Sequence, residues 1–183
     1  LLIGIDTLYR DRGELKHTPL LDHLAPSGME YVVVLDSFAG SRLLALKEAN
    51  YTTYHFSTSA DLRTDGLFEP MSKLINKERK LLDGTVIQPK YEDASLLRYG
   101  SLEGNTNHWN MEGTELSVRI PWTRINVSDV SSARVLDDER TYYSDPLRDQ
   151  LATTATEGLV LSVVVADSIK QTVLDAPEAA TLV

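Results

Sequence analysis

The chain of 183 residues contains no cysteine, which excludes disulfide frameworks, thiolate metal sites and cysteine nucleophiles. Aromatic residues make up only 7% of the sequence. There is no apolar run long enough to span a bilayer and no signal peptide. Motifs of the G-x-S-x-G, H-E-x-x-H, Walker and G-x-G-x-x-G types are also missing, which weighs against the familiar enzyme classes.

Acidic residues outnumber basic residues in the sequence. The chain has 18 basic and 27 acidic residues, which gives a formal charge of −9. A surface of this charge repels phosphate backbones and anionic membranes. We therefore expect no nucleic-acid partner and no membrane insertion.

The sequence begins with Leu1-Leu2-Ile3, without a methionine and inside an apolar run that is typical of a strand. We therefore expect the chain to be a fragment of a larger protein. Its length suits one domain over residues 1–183, and the 42% of hydrophobic residues can form a substantial core.

Short apolar runs separated by turn residues dominate the sequence. The runs at 29–36 and 159–166 are rich in β-branched residues, as strands are. Eight to ten such runs alternate with turns, and few segments have helical spacing. The pattern predicts an all-β fold, a two-sheet antiparallel β-sandwich with long loops and at most one or two short helices.

Two long segments interrupt this pattern. Residues 7–28 are polar and predict a long loop with a helical turn near residues 20–24. Residues 71–89 leave two interpretations open. Met71, Leu74 and Ile75 have helical spacing, whereas the Asp83-Gly84 pair between short apolar runs indicates a hairpin.

The segment 113–129, GTELSVRIPWTRINVSD, alternates strictly in its first half. Leu116, Val118, Ile120 and Trp122 share one side of the expected strand. Pro121 lacks an amide hydrogen and should end the strand at a sheet edge. We expect Trp122 to continue the inward face and to lie in the core.

Three stretches in this order resemble the family-9 carbohydrate-binding modules and the wider DOMON-like β-sandwich group. They are IGIDT at 3–7, GMEYVVVL at 28–35 and ELSVRIPWTRIN at 115–126. The resemblance implies a jelly-roll-like sandwich of the kind often appended to extracellular, mainly bacterial, enzymes. It therefore implies an extracellular or cell-envelope location and, less directly, sugar binding.

The segment YGSLEGNTNHWN, residues 99–110, is the densest group of aromatic and planar polar side chains. Sugar binding needs rings that stack on C–H surfaces and polar groups that bind hydroxyls. The candidate ligand-binding residues are Tyr99, Glu103, Asn105, Asn107, His108 and Trp109. The alternative is a loop between strands at 96–104 and 108–111, with Trp109 packed in the core.

Acidic turn residues suggest one kind of metal site. Asp6, Asp61 and Asp65 could contribute oxygens to a structural calcium ion, although their spacing is not that of a calcium loop. The alternative is that they are solvated turn or cap residues. The histidines at 17, 23, 55 and 108 show no zinc-type spacing. We expect no other cofactor.

These observations favour a non-catalytic accessory domain of a larger glycan-active protein. Its task would be carbohydrate binding or docking to a neighbouring catalytic domain of the same chain. One alternative is a carbohydrate-active enzyme, which needs a cleft with two carboxylates about 5–10 Å apart facing an aromatic platform. Another alternative is a purely structural interdomain module. Whether this chain has catalytic activity is left open.

Overall fold

The computed structural model describes residues 1–7, 13–46, 62–136 and 153–182. Within these ranges the chain is built almost wholly from antiparallel strands, and the one short helical element is a 3₁₀ turn at Trp122–Arg124. The all-β prediction is therefore confirmed. No helix in the described part of the chain is long and apolar enough to cross a membrane.

Sixteen strands follow one another along the described chain. They are β1 Leu2–Asp6, β2 Tyr31–Val34, β3 Arg42–Leu46, β4 Phe68–Pro70, β5 Ser72–Asn76, β6 Arg79–Lys80, β7 Val86–Ile87, β8 Lys90–Asp93, β9 Trp109–Glu112, β10 Glu115–Val118, β11 Val127–Asp129, β12 Arg134–Leu136, β13 Thr153–Ala155, β14 Leu159–Asp167, β15 Thr172–Asp175 and β16 Ala180–Leu182.

The largest sheet has the strand order β15-β14-β1-β2-β3-β4, and β16 pairs with β14. Its centre is the part of the chain richest in β-branched residues. Ile3 of β1 lies opposite Val163 of β14 on one side and Val33 of β2 on the other. Such pairs stabilise a sheet because branched side chains pack well on a pleated surface.

One face of this sheet is covered by the shorter sheets β9–β10 and β11–β12–β13. The main core forms between these layers, as in a sandwich. The large sheet contributes buried side chains from β1, β2, β3 and β14: Ile5, Tyr31, Val33, Leu43, Leu46 and Leu159. The covering layer contributes Trp109, Ile125, Val127 and Val135. Full burial of each large apolar side chain contributes about 1.5–3 kcal/mol.

The loop over residues 13–29 covers the opposite face of the sheet. Met29 of this loop packs with Ala25 and Val32 in a second, smaller cluster. Gly4 of β1 makes the close approach possible, because a Cβ there would lie 1.8 Å from Met29 Sδ. The long loop predicted at 7–28 is therefore a packed layer over its described residues. The helical turn expected near 20–24 is wrong, since this stretch holds only a turn at Pro19 and Leu20.

Residues 72–93 form a hairpin arm. β5 pairs with β8 at its base and β6 pairs with β7 near its tip. Gly84 adopts a φ of 87° in the tip turn, and Asp83 Oδ1 accepts a hydrogen bond from the Thr85 amide at 2.9 Å. Of the two interpretations of 71–89, the hairpin is therefore confirmed. The helical spacing of Met71 and Ile75 has no structural meaning here.

The expected strand end at Pro121 is close to the observed one, but the expected position of Trp122 is wrong. β10 ends at Val118, and Leu116, Val118 and Ile120 do pack against the core. The chain then enters the 3₁₀ turn, which breaks the two-residue alternation. Trp122 consequently lies with 45% of its surface exposed.

Candidate functional site

Three aromatic rings meet at one end of the sandwich. They belong to Phe38, Tyr99 and Trp109, and we call them the aromatic cluster. The ring centroids of Phe38 and Tyr99 are 4.4 Å apart, and those of Tyr99 and Trp109 are 4.9 Å apart. Phe38 stacks over Trp109 with a centroid distance of 6.0 Å and an interplanar angle of 22°. These separations are typical of favourable aromatic pairs.

Backbone hydrogen bonds set the positions of the three rings. Tyr99 and Trp109 face each other in an isolated parallel bridge, and the Gly100 amide donates to the Trp109 carbonyl at 3.0 Å. Phe38 lies in the turn between β2 and β3. In that turn, Ser37 Oγ accepts a hydrogen bond from the Gly40 amide at 2.9 Å. Only isolated bridges, and no continuous strand, form over the expected strand 96–104.

The three rings differ in their exposure. Trp109 is buried, with 7% of its surface exposed, and belongs to the main core. Tyr99 is 37% exposed and Phe38 is 70% exposed. The open ring surface is therefore formed by Phe38 and Tyr99, while Trp109 supports them from beneath. The sequence interpretation missed Phe38, whose signal is a lone aromatic residue in the turn DSFAGS.

The loop over residues 100–107 borders the aromatic cluster and is held by side chains. Asn107 Nδ2 donates to the Ser101 carbonyl at 2.9 Å. Gly100 adopts a φ of 146°, and a Cβ there would lie 2.5 Å from Asn107 Nδ2. The Arg119 guanidinium donates to the carbonyls of Leu102 and Gly104, the latter at 2.6 Å.

Of the other predicted ligand-binding residues, Glu103 and Asn105 face solvent and His108 has a structural role. Glu103 and Asn105 are exposed in this loop, so a ligand could reach both side chains from solvent. His108 is half-buried, and its Nδ1 accepts a hydrogen bond from the Arg98 amide at 3.1 Å. Partial burial, followed by the charges of Arg124 and Arg98, lowers the pKa of His108. His108 therefore stays neutral at pH 7 and fixes the backbone of the neighbouring segment.

A polar cavity of about 370 Å³ lies on the outer face of β9 and β10, beneath the start of the loop. Its polar lining residues are Ser101, Glu103, Asn110, Glu112, Glu115 and Ser117. Glu112 and Glu115 are directly opposite each other in the strand pair. Among the described residues that line this cavity, none is aromatic.

The predicted metal-binding residues occupy dissimilar surroundings. Asp6 is buried, whereas Asp65 is exposed and its Oδ2 accepts a hydrogen bond from Arg63 Nη2 at 2.7 Å. Asp61 lies outside the described residues. Among the described residues, no three histidine, aspartate or glutamate side chains converge as a metal site. The structural calcium ion stays a prediction.

No family model, no curated protein and no solved structure matches the chain. The resemblance to carbohydrate-binding modules therefore stays a prediction.

Proposed function

We propose that this chain is a non-catalytic accessory domain that binds carbohydrate at the aromatic cluster. The observation that supports the proposal is the exposure of Phe38 and Tyr99 side by side on a buried tryptophan. A pair of open rings offers faces on which the C–H surfaces of a sugar stack. Because Trp109 holds the two rings from beneath, little side-chain entropy would be lost when a sugar binds.

Polar groups that suit sugar hydroxyls lie along the chain next to these rings. Ser101 and Glu103 follow Tyr99, and Asn110 follows Trp109; all three line the polar cavity. Carboxylates and amides are the planar acceptors and donors that orient a hydroxylated ligand. The polar partners that we propose for a saccharide on the rings are Glu103 and Asn105, which are exposed in the loop over residues 100–107.

A glycan-array and soluble-sugar screen of the chain, with and without calcium, tests this proposal. Phe38→Ala is the informative variant, because it removes the most exposed ring and leaves the buried Trp109 in place. We expect saturable binding that this variant weakens by about tenfold or more. Ile169→Ala is the matched control, since Ile169 is 92% exposed and lies in the β14–β15 turn. Equal loss in both variants, or no binding by the folded chain, would overturn the proposal.

Docking to a neighbouring domain is a second candidate function, and the hairpin arm is the observation that favours it. Six large apolar or aromatic residues of the arm are exposed: Ile75, Leu81, Leu82, Val86, Ile87 and Tyr91. Exposed apolar groups that are close together on a projecting hairpin are typical of an interaction surface.

Hydrogen exchange tests the docking function. The amides of residues 79–87 should exchange quickly in the chain of 183 residues and slowly in a longer natural chain that contains it. Leu82→Ser should abolish that difference, whereas Leu174→Ser on β15 should not. Equal exchange rates in the short and long chains would contradict the proposed docking function.

A further inference from the structure

Two histidine nitrogens in the loop over residues 13–29 are buried and have no hydrogen-bond partner among the residues that the structure describes. They are Nδ1 of His17 and Nδ1 of His23. The two rings are neighbours, with centroids 6.0 Å apart. Buried polar atoms are nearly always satisfied in folded proteins, so two orphan nitrogens on adjacent rings call for a binding partner.

The hydrogen bond on the other side of the His17 ring fixes which nitrogen carries the proton. Nε2 of His17 lies 3.1 Å from the carbonyl oxygen of Ser162 on β14. A carbonyl oxygen can only accept, so Nε2 must be the protonated nitrogen and Nδ1 must have a free lone pair. Metal-binding histidines have this same arrangement, with one ring N–H donated to a carbonyl or carboxylate.

Burial keeps this lone pair available. His17 is 4% exposed. Desolvation of the charged form lowers the pKa of His17, with the Ser162 carbonyl opposing the shift and the nearby His23 adding to it. The imidazole is therefore neutral at pH 7, which is the form that coordinates a metal.

The fold brings the two rings together although their sequence spacing matches no zinc motif. The loop turns back on itself where the Leu21 amide donates to the Thr18 carbonyl at 3.4 Å. It is closed by a bond of 2.7 Å from the Ala25 amide to the Leu15 carbonyl. His17 and His23 lie within the chain segment that this closing bond spans.

We propose that His17 and His23 bind a late first-row transition-metal ion, of which Zn²⁺ is the simplest probe. Two imidazole rings that bind one ion at about 2.0–2.1 Å have centroids roughly 5–6 Å apart, and the separation grows with the angle at the metal. The observed 6.0 Å corresponds to a wide angle at the metal, and binding at a tetrahedral angle would bring the two centroids together to about 5 Å. Imidazole nitrogens suit Zn²⁺, Cu²⁺ and Ni²⁺, whereas Ca²⁺ takes oxygen ligands.

The site would have open coordination positions. No third histidine or carboxylate joins the two rings among the described residues. His17 also lines a cavity of about 640 Å³. We expect water or an anion to complete the coordination of the ion. This inference is independent of carbohydrate binding and of the calcium prediction.

Calorimetric titration with Zn²⁺ tests the inference, together with NMR spectra that report each histidine ring nitrogen. We expect one Zn²⁺ per chain, a shift of the Nδ1 resonances of His17 and His23, and affinity at least about tenfold weaker in His23→Gln and His17→Gln. His108→Gln is the control and should bind as the wild type does. His23 is partly exposed, so His23→Gln keeps the test valid if His17→Gln unfolds.

Two results would overturn the inference. One is Zn²⁺ binding that is absent, or equal in the wild type, His23→Gln and His108→Gln. The other is a His17 tautomer with the proton on Nδ1, because that nitrogen would then be a donor and could not coordinate a metal.

Discussion

Glu30 Oε2 accepts hydrogen bonds from both the backbone amide and the hydroxyl of Thr7, at 2.7 and 3.2 Å. Glu30 is 1% exposed, and the carboxyl group of Asp6 on the adjacent strand is also buried. Burial, followed by the charge of Asp6, raises the pKa of Glu30 well above its usual value of 4.5, although the two bonds from Thr7 oppose this. The fold therefore favours a neutral Glu30.

A raised pKa makes stability depend on pH in a defined direction. The folded chain holds the Glu30 proton more tightly than the unfolded chain does. The stability that this group contributes is therefore full below about pH 4.5 and is lost as the pH rises from there to the folded pKa. Each unit of elevation costs about 1.4 kcal/mol at high pH. Glu30→Gln imitates the neutral acid, so it should be more stable than the wild type at pH 8 and similar at pH 4.

Urea unfolding of wild type and Glu30→Gln between pH 4 and 8 measures this difference directly. Glu103→Gln is the control, because Glu103 is exposed. A stability difference that does not grow with pH would contradict the neutral carboxyl.

Gly4→Ala should destabilise the chain, because the new methyl group meets Met29 Sδ at 1.8 Å and His17 Nε2 at 3.0 Å. Overpacking of this kind typically costs about 1–3 kcal/mol. Denaturant unfolding against Gly104→Ala provides the comparison, since a Cβ at Gly104 would meet nothing within 4 Å. Equal stability of the two variants would show that the loop does not pack on β1 as described.

Arg119→Ala should loosen the loop over residues 100–107, because the guanidinium bonds to the carbonyls of Leu102 and Gly104 are lost. The residue is exposed, so we expect at most about 1 kcal/mol of lost stability. Proteolysis within residues 101–106 should become faster, and sugar affinity should fall with it. Arg79→Ala on the arm is the control, and unchanged cleavage in Arg119→Ala would argue against the anchoring role.

Local sequence pattern predicted the strands but not the places where distant segments meet. The run at 31–34 is β-branched and buried on both faces, so composition alone identifies it. The Asp83-Gly84 turn carries its own conformational signal. In contrast, Phe38 and Tyr99 meet through the packing of separate elements, which no local period encodes.

The errors have equally physical causes. Trp122 continues an alternating pattern by sequence, but a 3₁₀ turn replaces the strand after Pro121 and changes the direction of the side chain. His17 and His23 match no metal motif, because their closeness depends on how the loop folds over the sheet. This loop forms hydrogen bonds with itself and with β14, and such tertiary contacts cannot be predicted from secondary-structure propensity.

An NMR titration with the tightest-binding glycan of the screen decides whether carbohydrate binds on the proposed Phe38–Tyr99 surface. We predict that the perturbed amides fall at residues 37–40 and 98–110, and that Phe38→Ala abolishes these shifts while its spectrum stays that of a folded protein. Perturbations confined to the hairpin arm, or shifts that persist in Phe38→Ala, would contradict the claim.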